Sequence, residues 1–487
     1  MKPDLPSPAR AAYFLSSTAG LKVTVMGLGI NGGGLATALF FARRGAEVTV
    51  TDLRSERVLA EAMSQLSGFP IRYVLERHEE RDFQDADVVI KNPAVSPASP
   101  YLAAARARGV PVETDLSVFL SLAPNPVLAV TGSKGKSTTA SAAAFALSRV
   151  DPRSRLGGNI TVSPLSFLEG LAPDAPVVLE LSSWQLGDLR GRGILKPRVS
   201  AFTVILPDHL DKYAGMADYV SDKKVIFQEQ EPAQFAVFNR DDPWQERFPS
   251  ETRARSLFFS SRALDPGTNG AWLDGDEGSA RLQPGEAPQV ILARVKVPGA
   301  HNRRNLLCAG LMLLAHGVPA AAIRGGLAEF PGVEHRLEHF ATWRGIAFYN
   351  DSAATIPHAT VEALRALEGP VVLVTGGTDK NIDFSPLREV VAVPRAFVLL
   401  AGTGTEKMQP ILAQGGAAWD GPYDSLRGAV EQAVTRAAAL GGGGAGGVSI
   451  LFSPGCTSFG MFLNEFDRGR KFKGLVAELM SAAGSAR

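Results

Sequence analysis

The sequence of 487 residues has little cysteine, little net charge and no long apolar run. Its two cysteines, Cys308 and Cys456, exclude a disulfide framework and a cysteine-rich metal site, and they favour a reducing compartment. Lys and Arg total 50 against 49 Asp and Glu, so no strong overall field attracts nucleic acid or an anionic membrane. Without a run of about 18 apolar residues, and without an apolar stretch within 1–20, we expect a cytoplasmic protein with no membrane span and no signal peptide.

Three consecutive blocks of alternating strand and helix patterns follow one another along the chain. Hydrophobic residues make up 45% and charged residues 20%, which is an ordinary globular composition. Pro-rich or Pro-Gly junctions near 124–126 and 331–332 separate the blocks. The prediction is an α/β protein with three consecutive domains: Rossmann-like at 1–124, P-loop-type at 125–331 and Rossmann-like at 332–487. Within the second, 250–298 is predicted to be a loop-rich β excursion.

A glycine-rich turn, Gly27 to Gly32, follows the first strand and opens a helix. Glycines permit a tight turn there, and the N–H groups of the helix N-terminus favour a phosphate. Asp52 ends the next strand, 25 residues after Gly27, where a ribose or base contact is expected. The motif indicates a nucleotide diphosphate site. The alternatives are a turn that only packs helix on strand, or an NAD site and hence an oxidoreductase.

A second loop, TGSKGKST at 131–138, also lies between a strand and a helix. The backbone N–H groups of such a loop cradle phosphates, Lys136 would reach the β- and γ-phosphates, and Ser137 or Thr138 would bind Mg²⁺. The loop is one residue shorter than the usual spacing, because Val130 stands where the first glycine belongs. The alternative is a surface turn. Two nucleotide-type loops in successive domains favour a ligase that joins a nucleotide-carried substrate to something else.

Other polar residues follow predicted strands or lie on predicted helices of the second block. Glu180 ends a strand and could hold Mg²⁺, or it could face water. His209 lies in DHLD after another strand, whereas Lys223 and Lys224 would form a solvated helix face on composition alone. Asn302 and Asn305 share one side of a helix and could read adenine, although N-capping explains Asn302 equally well.

In the third block, three strands end in polar loops, at 350–352, 376–380 and 453–458. Because the carboxyl ends of parallel strands meet at one edge of a sheet, these loops predict a site there for the acceptor of the reaction.

The set of motifs resembles the Mur ligases of peptidoglycan synthesis, and within them the enzymes that add D-glutamate to UDP-N-acetylmuramoyl-L-alanine. The similar motifs run in family order over nearly the whole chain: TGSKGKST, GGNI, LELSSWQL, DHLDKY, DKKVIF, GAHNRRN, HRLE, YNDSAAT, GGTDKNIDF and SPGCTSFGMFLNEFDRG. The resemblance implies ATP, Mg²⁺, UDP-N-acetylmuramoyl-L-alanine and glutamate as ligands. We expect a monomer that binds neither nucleic acid nor membrane.

The resemblance also implies a role for individual residues. The UDP-substrate would be bound by Gly29, Ile30, Asn31, Asp52, Arg54, Asn159 and Ser182. ATP would be bound by Gly132, Ser133, Lys134, Gly135, Lys136, Ser137, Thr138, Asn302, Asn305, Arg336 and Asp351. Metal ligands would be Ser137, Glu180, His209 and Lys223, the last as a carbamate formed from CO₂. The acceptor would contact Thr355, Lys380 and Ser458. Catalysis would rest on Lys136, His209, Lys223, Arg336 and Asp351.

The implied reaction converts the alanyl carboxylate to an acyl phosphate, which the amine of glutamate attacks. Four positions depart from the family pattern: Lys134, Thr161, Ala353 and Glu465. Ala353 stands where the D-glutamate enzymes usually have a lysine near the acceptor carboxylates. L-glutamate or another amino acid therefore stays an alternative acceptor, within the same ligase chemistry.

Overall fold

The first part of the chain forms a five-stranded, wholly parallel sheet with the order β3-β2-β1-β4-β5. The computed structural model describes residues 18–29, 32–160, 162–208, 213–441, 447–458 and 460–485. The strands are β1 Lys22–Met26, β2 Glu47–Asp52, β3 Arg72–Leu75, β4 Val88–Lys91 and β5 Val112–Glu113. The helices are α1 Gly33–Arg43, α2 Glu56–Leu66, α3 Glu80–Gln84, α4 Pro100–Ala107 and α5 Asp115–Leu122.

A nine-stranded sheet follows, with the order β14-β13-β12-β11-β10-β9-β6-β8-β7. Its strands are β6 Val127–Thr131, β7 Arg155–Gly158, β8 Val177–Glu180, β9 Val199–Phe202, β10 Phe235–Asn239, β11 Arg255–Ser260, β12 Gly270–Asp274, β13 Glu277–Arg281 and β14 Gln289–Leu292. Its helices are α6 Lys136–Ser148, α7 Ser183–Leu189, α8 Met216–Gln228, α9 Ala300–His316 and α10 Ala320–Glu329. Only the pairs β12–β13 and β13–β14 are antiparallel among these described strands, so the predicted β excursion extends the parallel sheet at one edge.

The last part of the chain forms a six-stranded sheet with the order β15-β16-β20-β17-β18-β19, in which β15 alone runs antiparallel to its described neighbour. The strands are β15 Glu338–Trp343, β16 Ile346–Asn350, β17 Val371–Gly376, β18 Ala396–Leu400, β19 Trp419–Tyr423 and β20 Val448–Phe452. The helices are α11 Pro357–Arg365, α12 Thr403–Gln414, α13 Leu426–Ala439 and α14 Glu465–Ser485. The predicted α/β class with three domains is confirmed.

The described residues divide into two compact units. One lies within Met1–Arg294 and Arg304–Phe330, and the other within Val295–Arg303 and Pro331–Arg487. The first two sheets belong to the first unit and share one apolar core, which reaches from Val23 in β1 to Phe238 in β10. The bounds predicted for the three domains stay a prediction.

Polar contacts join the first two sheets inside this unit. The buried ammonium of Lys91, at the end of β4, lies 2.6 Å from a carboxylate oxygen of Asp188 in α7. The hydroxyl of Ser163 donates to buried Asp115, the first residue of α5, over 2.7 Å. These contacts join the end of β4 and the start of α5 to α7 and to the segment that follows β7. In the described part of the chain, no helix is both long enough and apolar enough to cross a membrane.

Candidate functional site

The loop between β6 and α6 has the backbone of a phosphate cradle. Gly132 and Gly135 have φ values of 144° and 86°, a region that favours glycine. A Cβ at Gly132 would lie 2.0 Å from the Thr203 hydroxyl, and one at Gly135 would lie 2.3 Å from the Asn305 side-chain oxygen. Gly135 also caps α6 without any side-chain hydrogen bond. The loop therefore presents backbone N–H groups at a helix N-terminus, as the sequence predicts.

Side chains around the loop hold its shape. The hydroxyl of Ser133 donates to the Leu206 carbonyl over 2.8 Å and accepts from the Tyr219 hydroxyl over 2.9 Å. Lys136 donates to the carbonyl of Ser133 over 2.9 Å. The hydroxyl-bearing Ser137 and Thr138 lie in the first turn of α6 and are largely buried. Ser133 thus has a structural role in addition to any contact with ATP.

Lys134, one of the four residues that depart from the family pattern, is partly exposed. Its ammonium is 3.3 Å from a carboxylate oxygen of Asp208, and 42% of its side chain is exposed. The neighbouring His209, predicted to bind metal, lies outside the described residues, as do Ile30 and Asn31 of the first glycine-rich turn.

Glu180 ends β8, the strand beside β6, and is 2% exposed. Its Oε1 accepts from the side-chain amide of Asn159 over 2.9 Å. Its Oε2 is buried and has no hydrogen-bond partner within the described part of the chain. The reading of Glu180 as an edge carboxylate that faces water is therefore wrong. Burying a carboxylate oxygen without a hydrogen-bond donor costs free energy unless a cation binds it. The arrangement therefore suits Mg²⁺.

Lys223 lies in α8 and is 1% exposed, so the composition-based expectation of a solvated lysine face fails for this residue. Its ammonium donates to the carbonyl of Gly132 over 2.8 Å and lies 4.5 Å from the centre of the Tyr219 ring. Burial, and then the nearby Lys136, lower the pKa of Lys223 well below its usual range. A lysine in this position has a larger neutral fraction at neutral pH than a surface lysine. Lys224, by contrast, pairs with Glu251.

In the first sheet, Gly29, Asp52 and Arg54 lie together. Oδ2 of Asp52 accepts from the backbone N–H of Gly29 over 3.0 Å, and Oδ1 accepts from the backbone N–H of Arg54 over 2.9 Å. Asn92, after β4, packs against the same turn, since a Cβ at Gly27 would lie 3.0 Å from its Cβ. Asn92 was not among the predicted residues. It directly follows β4, the strand beside β1, and a polar residue at such a strand end is a candidate for ligand binding.

Three further predicted residues have local roles in the structure. Ser182 is the N-cap of α7 and forms a reciprocal capping box with Gln185. Asn302 is the third residue of α9 and donates to the carbonyl of Pro298 over 2.8 Å. The alternative that Asn302 is an N-cap is therefore wrong. Asn305 lies one turn further along, with its side-chain oxygen beside Gly135 of the phosphate loop.

In the second unit, Asp351 holds the backbone next to Arg336. One carboxylate oxygen of Asp351 accepts from the N–H of Leu337 over 3.0 Å, and the other accepts from the Ser453 hydroxyl over 2.7 Å. His335 and Leu337, on either side of Arg336, have φ values of 65° and 46°. Two non-glycine residues in the left-handed region indicate a turn whose shape is imposed by its surroundings. The turn sets the place of Arg336.

A cluster of metal-ligand type lies near this turn. Ligand atoms of Glu334, His335 and Glu338 all lie within 4.8 Å of one another. The ammonium of Lys473 donates to Glu334 over 3.1 Å and to Glu338 over 2.6 Å. The lysine already supplies the cation for these carboxylates, so the cluster is an ion-pair network.

The stability of the second unit is expected to depend on the ionisation of Asp351. Burial raises the pKa of Asp351 to about 7, above the value of about 3.9 for an unfolded chain. The stabilising contribution of the protonated form is fully present below about pH 4 and is lost as the pH rises through about 7. We expect the free energy of unfolding of the wild type to fall relative to that of Asp351→Asn over this interval, by on the order of 2–4 kcal/mol. Denaturant titrations of both proteins from about pH 4 to about pH 8 measure this; a constant difference would contradict it.

The three polar loops of the second unit meet at one sheet edge. The N–H of Gly455 donates to the Ala354 carbonyl over 3.0 Å, and the Thr457 hydroxyl donates to the Thr378 carbonyl over 2.8 Å. These loops include the residues predicted to contact the acceptor. Ser458 is buried, Thr355 is half-buried and Lys380 is exposed.

Comparison with known proteins agrees with this geometry. The family model "Mur ligase middle domain" matches residues 130–313, and "Mur ligase MurD-like, N-terminal domain" matches residues 21–114. A UDP-N-acetylmuramoylalanine--D-glutamate ligase of Roseiflexus sp. (strain RS-1) is 40% identical, with 94% of this chain and 98% of that protein covered. The enzyme of that name from Treponema pallidum (strain Nichols) is 38% identical, over 94% of this chain and 97% of its own.

Solved structures show the same fold. The UDP-N-acetylmuramate-alanine ligase MurC of Thermotoga maritima gives a TM-score of 0.61 at 21% identity, over 94% of this chain and 99% of its own. A MurF of Acinetobacter baumannii gives a TM-score of 0.59 at 16% identity, over 96% of this chain and 97% of its own. Mur ligases are ATP-dependent ligases of peptidoglycan precursor synthesis and generally need Mg²⁺. The chain belongs to the Mur ligase family, and within it to the UDP-N-acetylmuramoylalanine--D-glutamate ligases.

Proposed function

We propose that this chain uses ATP to join the amine of D-glutamate to the alanyl carboxylate of UDP-N-acetylmuramoyl-L-alanine, and that it works as a monomer in the cytoplasm, where ATP is available. The names of the relatives that match over nearly their whole length support the reaction. One structural observation supports this chemistry. The phosphate loop and buried Glu180, whose Oε2 has no hydrogen-bond partner among the described residues, lie at the carboxyl ends of the neighbouring strands β6 and β8, and the ammonium of buried Lys223 contacts the loop. An NAD-dependent oxidoreductase would not need this second phosphate loop or the polar residues around it.

The reaction has two chemical steps. An oxygen of the alanyl carboxylate attacks the γ-phosphorus of ATP, ADP leaves, and an acyl phosphate forms. The amine of glutamate then attacks the carbonyl carbon and loses a proton, and the tetrahedral intermediate expels phosphate to give the amide. We assign Lys136 to the β- and γ-phosphates, with the N–H groups of Gly132 to Thr138 around them. Fixed positive charge there offsets the negative charge that develops on the transferring phosphoryl group.

Glu180 and Ser137 are the described residues that we assign to Mg²⁺, and His209 is assigned with them on its motif alone. The unpartnered Oε2 of Glu180 supports this assignment, because a hard cation prefers carboxylate oxygen. When bound, Mg²⁺ would neutralise phosphate charge and orient the phosphate oxygens. The other oxygen of Glu180, Oε1, accepts a hydrogen bond from the Asn159 amide, so Oε2 is the oxygen that stays available to a metal ion. Asn159 is also proposed to contact the muramoyl-alanine part of the substrate, with Ser182 nearby.

Lys223 is proposed to carry a carbamate. The ammonium would first lose one proton, and the neutral amine would then attack CO₂ and release a second proton, so that a buried cation becomes a buried anion beside the metal site. The carbamate nitrogen keeps one N–H group, so the hydrogen bond to the Gly132 carbonyl survives the modification. An anionic oxygen there is a ligand that Mg²⁺ prefers, whereas an ammonium would be repelled.

The remaining assignments concern the binding of the UDP-substrate, ATP and the acceptor. We assign the UDP end to Gly29, Ile30, Asn31, Asp52 and Arg54. Asn302 and Asn305 are assigned to adenine, and Arg336 and Asp351 to ATP. For Asp351 the two hydrogen bonds described above suggest that it acts by holding the Arg336 turn. Thr355, Lys380 and Ser458 are assigned to the acceptor.

The proposed function is tested by measuring phosphate release and amide formation with ATP, Mg²⁺ and UDP-N-acetylmuramoyl-L-alanine. The acceptors are D-glutamate, L-glutamate, a neutral amino acid and a basic one. We expect turnover to require both nucleotides and to be fastest with D-glutamate. Preference for L-glutamate would change the stereochemistry of the acceptor, and preference for a neutral or basic amino acid would refute glutamate as the acceptor. Ala353 makes this comparison necessary.

Glu180→Gln is expected to separate metal binding from folding. The amide keeps the size of the carboxylate but loses its charge, so Mg²⁺ is held less tightly and the rate at limiting Mg²⁺ falls by about 10- to 100-fold. Because the change removes a buried charge with an unsatisfied oxygen, the unfolding midpoint is expected to stay the same or to rise. Rates across a Mg²⁺ titration and thermal melts without metal test both halves. An unchanged Mg²⁺ dependence would remove Glu180 from the metal site.

A further inference from the structure

Arg468, in the first turn of α14, is a buried guanidinium that bonds only to neutral groups. It is 1% exposed, although arginine is rarely buried. Its Nε donates to the Ser352 hydroxyl over 3.1 Å, and its two terminal nitrogens donate to the Ser352 carbonyl over 2.7 Å and the Cys456 carbonyl over 3.1 Å. Its hydrogen bonds therefore join two separate loops of the second unit.

Among the described residues, no carboxylate forms an ion pair with Arg468. The acids that act on it at longer range are Glu465 and Asp351. Burial raises the pKa of Asp351 to about 7, so that carboxyl is only partly ionised near neutral pH. Burial also lowers the pKa of Arg468 to about 10, which leaves the guanidinium charged at neutral pH. A buried charge without a matched counter-charge costs several kcal/mol, so a role for that charge is expected.

The place of this charge is informative. Ser352 and Cys456 belong to the loops after β16 and β20, which meet at the sheet edge proposed for the acceptor. Ala353 follows Ser352 directly and is half-buried. Two other cations on α14 have partners, since Lys471 bonds Asp467 over 2.8 Å and Lys473 bonds Glu338 over 2.6 Å, and Arg470 is exposed.

We propose that Arg468 is a positioning and specificity residue for the acceptor: it fixes the loops at Ser352 and Cys456 and places under them the positive charge that a carboxylate of glutamate requires. The proposal rests on glutamate as the acceptor in the proposed function. Glutamate has two carboxylates, and Lys380 is the one cation already assigned to them. A second carboxylate needs another source of positive potential.

The experiment measures KM for D-glutamate, KM for ATP, kcat and the unfolding midpoint. The wild type is measured first, because absence of amide formation with either glutamate would show that the proposed function fails, independently of Arg468. The variants are Arg468→Met, Arg468→Lys, and Arg468→Met combined with Ala353→Lys, which puts an ammonium beside the same loop. Arg470→Met is the matched control, since Arg470 is exposed on the same helix.

We expect Arg468→Met to raise KM for glutamate about tenfold or more while KM for ATP stays within about twofold. Arg468→Lys should lie between this variant and the wild type, and Arg470→Met should resemble the wild type. Ala353→Lys in the Arg468→Met protein should restore part of the affinity for glutamate, which a purely structural role of Arg468 does not predict. An unchanged KM for glutamate in a folded variant, equal changes in both KM values, absence of rescue, or failure of both Arg468 variants to fold would each overturn the proposal.

Discussion

Replacing Lys136 with alanine is expected to slow phosphate release by at least about 100-fold while the fold persists. In the structure, Lys136 is the first residue of α6, and its ammonium donates to the Ser133 carbonyl at the mouth of the phosphate loop. A contact to the γ-phosphate that strengthens in the transition state contributes about 3 kcal/mol or more, which corresponds to a rate factor of about 100. The loss should appear in kcat, because the contact matters most while the phosphoryl group transfers.

The structural cost of this substitution should be small. Alanine is a good residue for the first turn of a helix, and the loop keeps its other bonds through Ser133 and Thr203. Thermal melts should therefore overlap with those of the wild type within a few degrees. Lys196→Ala is the control for loss of a positive charge, since Lys196 pairs with Glu231 on the exposed surface of the same unit. Phosphate release by Lys136→Ala at a rate near that of the wild type would show that the phosphate loop takes no part in the reaction.

The phosphate loop was predictable because its chemistry lies in consecutive residues. A buried strand, two glycines with special φ angles and a helix start all fall within 127–138, so the local pattern determines the local structure. The strand-end polar loops of the third sheet were predictable for a related reason. Apolar runs such as Val371–Gly376 mark buried parallel strands, and parallel strands place their carboxyl ends at one edge.

The pairing of Asn159 with Glu180 was not predictable, because it depends on which strands are neighbours. β7 is a short strand that ends in two glycines, Gly157 and Gly158, and its sequence has no alternating pattern. Its pairing with β8 brings Asn159 to the carboxylate. Glu180 was recognisable from the sequence as a strand-end carboxylate that could hold Mg²⁺, whereas Asn159 was assigned only through the family resemblance. The unsatisfied oxygen of Glu180 became visible only in three dimensions.

The antiparallel strand β15 was missed for a similar reason. Its sequence, EHFATW, mixes polar and apolar residues, and most of them are half-exposed. The hairpin formed by β15 and β16 brings Leu337 to Asp351, although they lie 14 positions apart. The role of Asp351 in holding the Arg336 turn follows from that hairpin and not from the NDS motif.

The burial of Lys223 also went against expectation from composition. Lysine is almost never fully buried unless its ammonium has a partner, and sequence alone does not show one. Here the partner is a backbone carbonyl, that of Gly132, which points toward α8 because of the shape of the phosphate loop. The neighbour Lys224 keeps the surface role that composition favours, since it pairs with Glu251.

Removal of dissolved CO₂ is expected to inactivate the wild type, and bicarbonate is expected to restore it. The low pKa of Lys223 leaves a nucleophilic neutral amine, and burial places that amine beside the phosphate loop and near Glu180 and Lys136. Loss of the carbamate would replace an anionic oxygen ligand with an amine that offers Mg²⁺ no oxygen, or with its protonated form, which repels the metal. We expect an activity loss of about tenfold or more after chelation of the metal and exhaustive degassing, measured as phosphate release after Mg²⁺ is returned.

Two variants decide whether Lys223 is responsible for the dependence of activity on CO₂. Lys223→Arg keeps a positive charge and most of the side-chain length, but a guanidinium does not form a stable carbamate, because it stays protonated. It should be at least about 100-fold less active than the wild type, with or without bicarbonate. Lys224→Ala is the matched control on the same helix. It loses the ion pair with Glu251, worth at most about 1 kcal/mol, and the contact of the ammonium with the Phe248 ring. Its activity should stay near that of the wild type and should keep the dependence on bicarbonate.

A direct measurement completes the test. With ¹³C-labelled bicarbonate, the wild type and Lys224→Ala should show a carbamate carbon resonance that Lys223→Arg lacks. The signal should strengthen when Mg²⁺ is added, because the metal binds only the anionic form and pulls the equilibrium toward it. If the wild type shows no such resonance and its activity does not respond to CO₂, then Lys223 acts as an amine that holds the Gly132 carbonyl. The metal ligand assigned to Lys223 must then be sought among other residues.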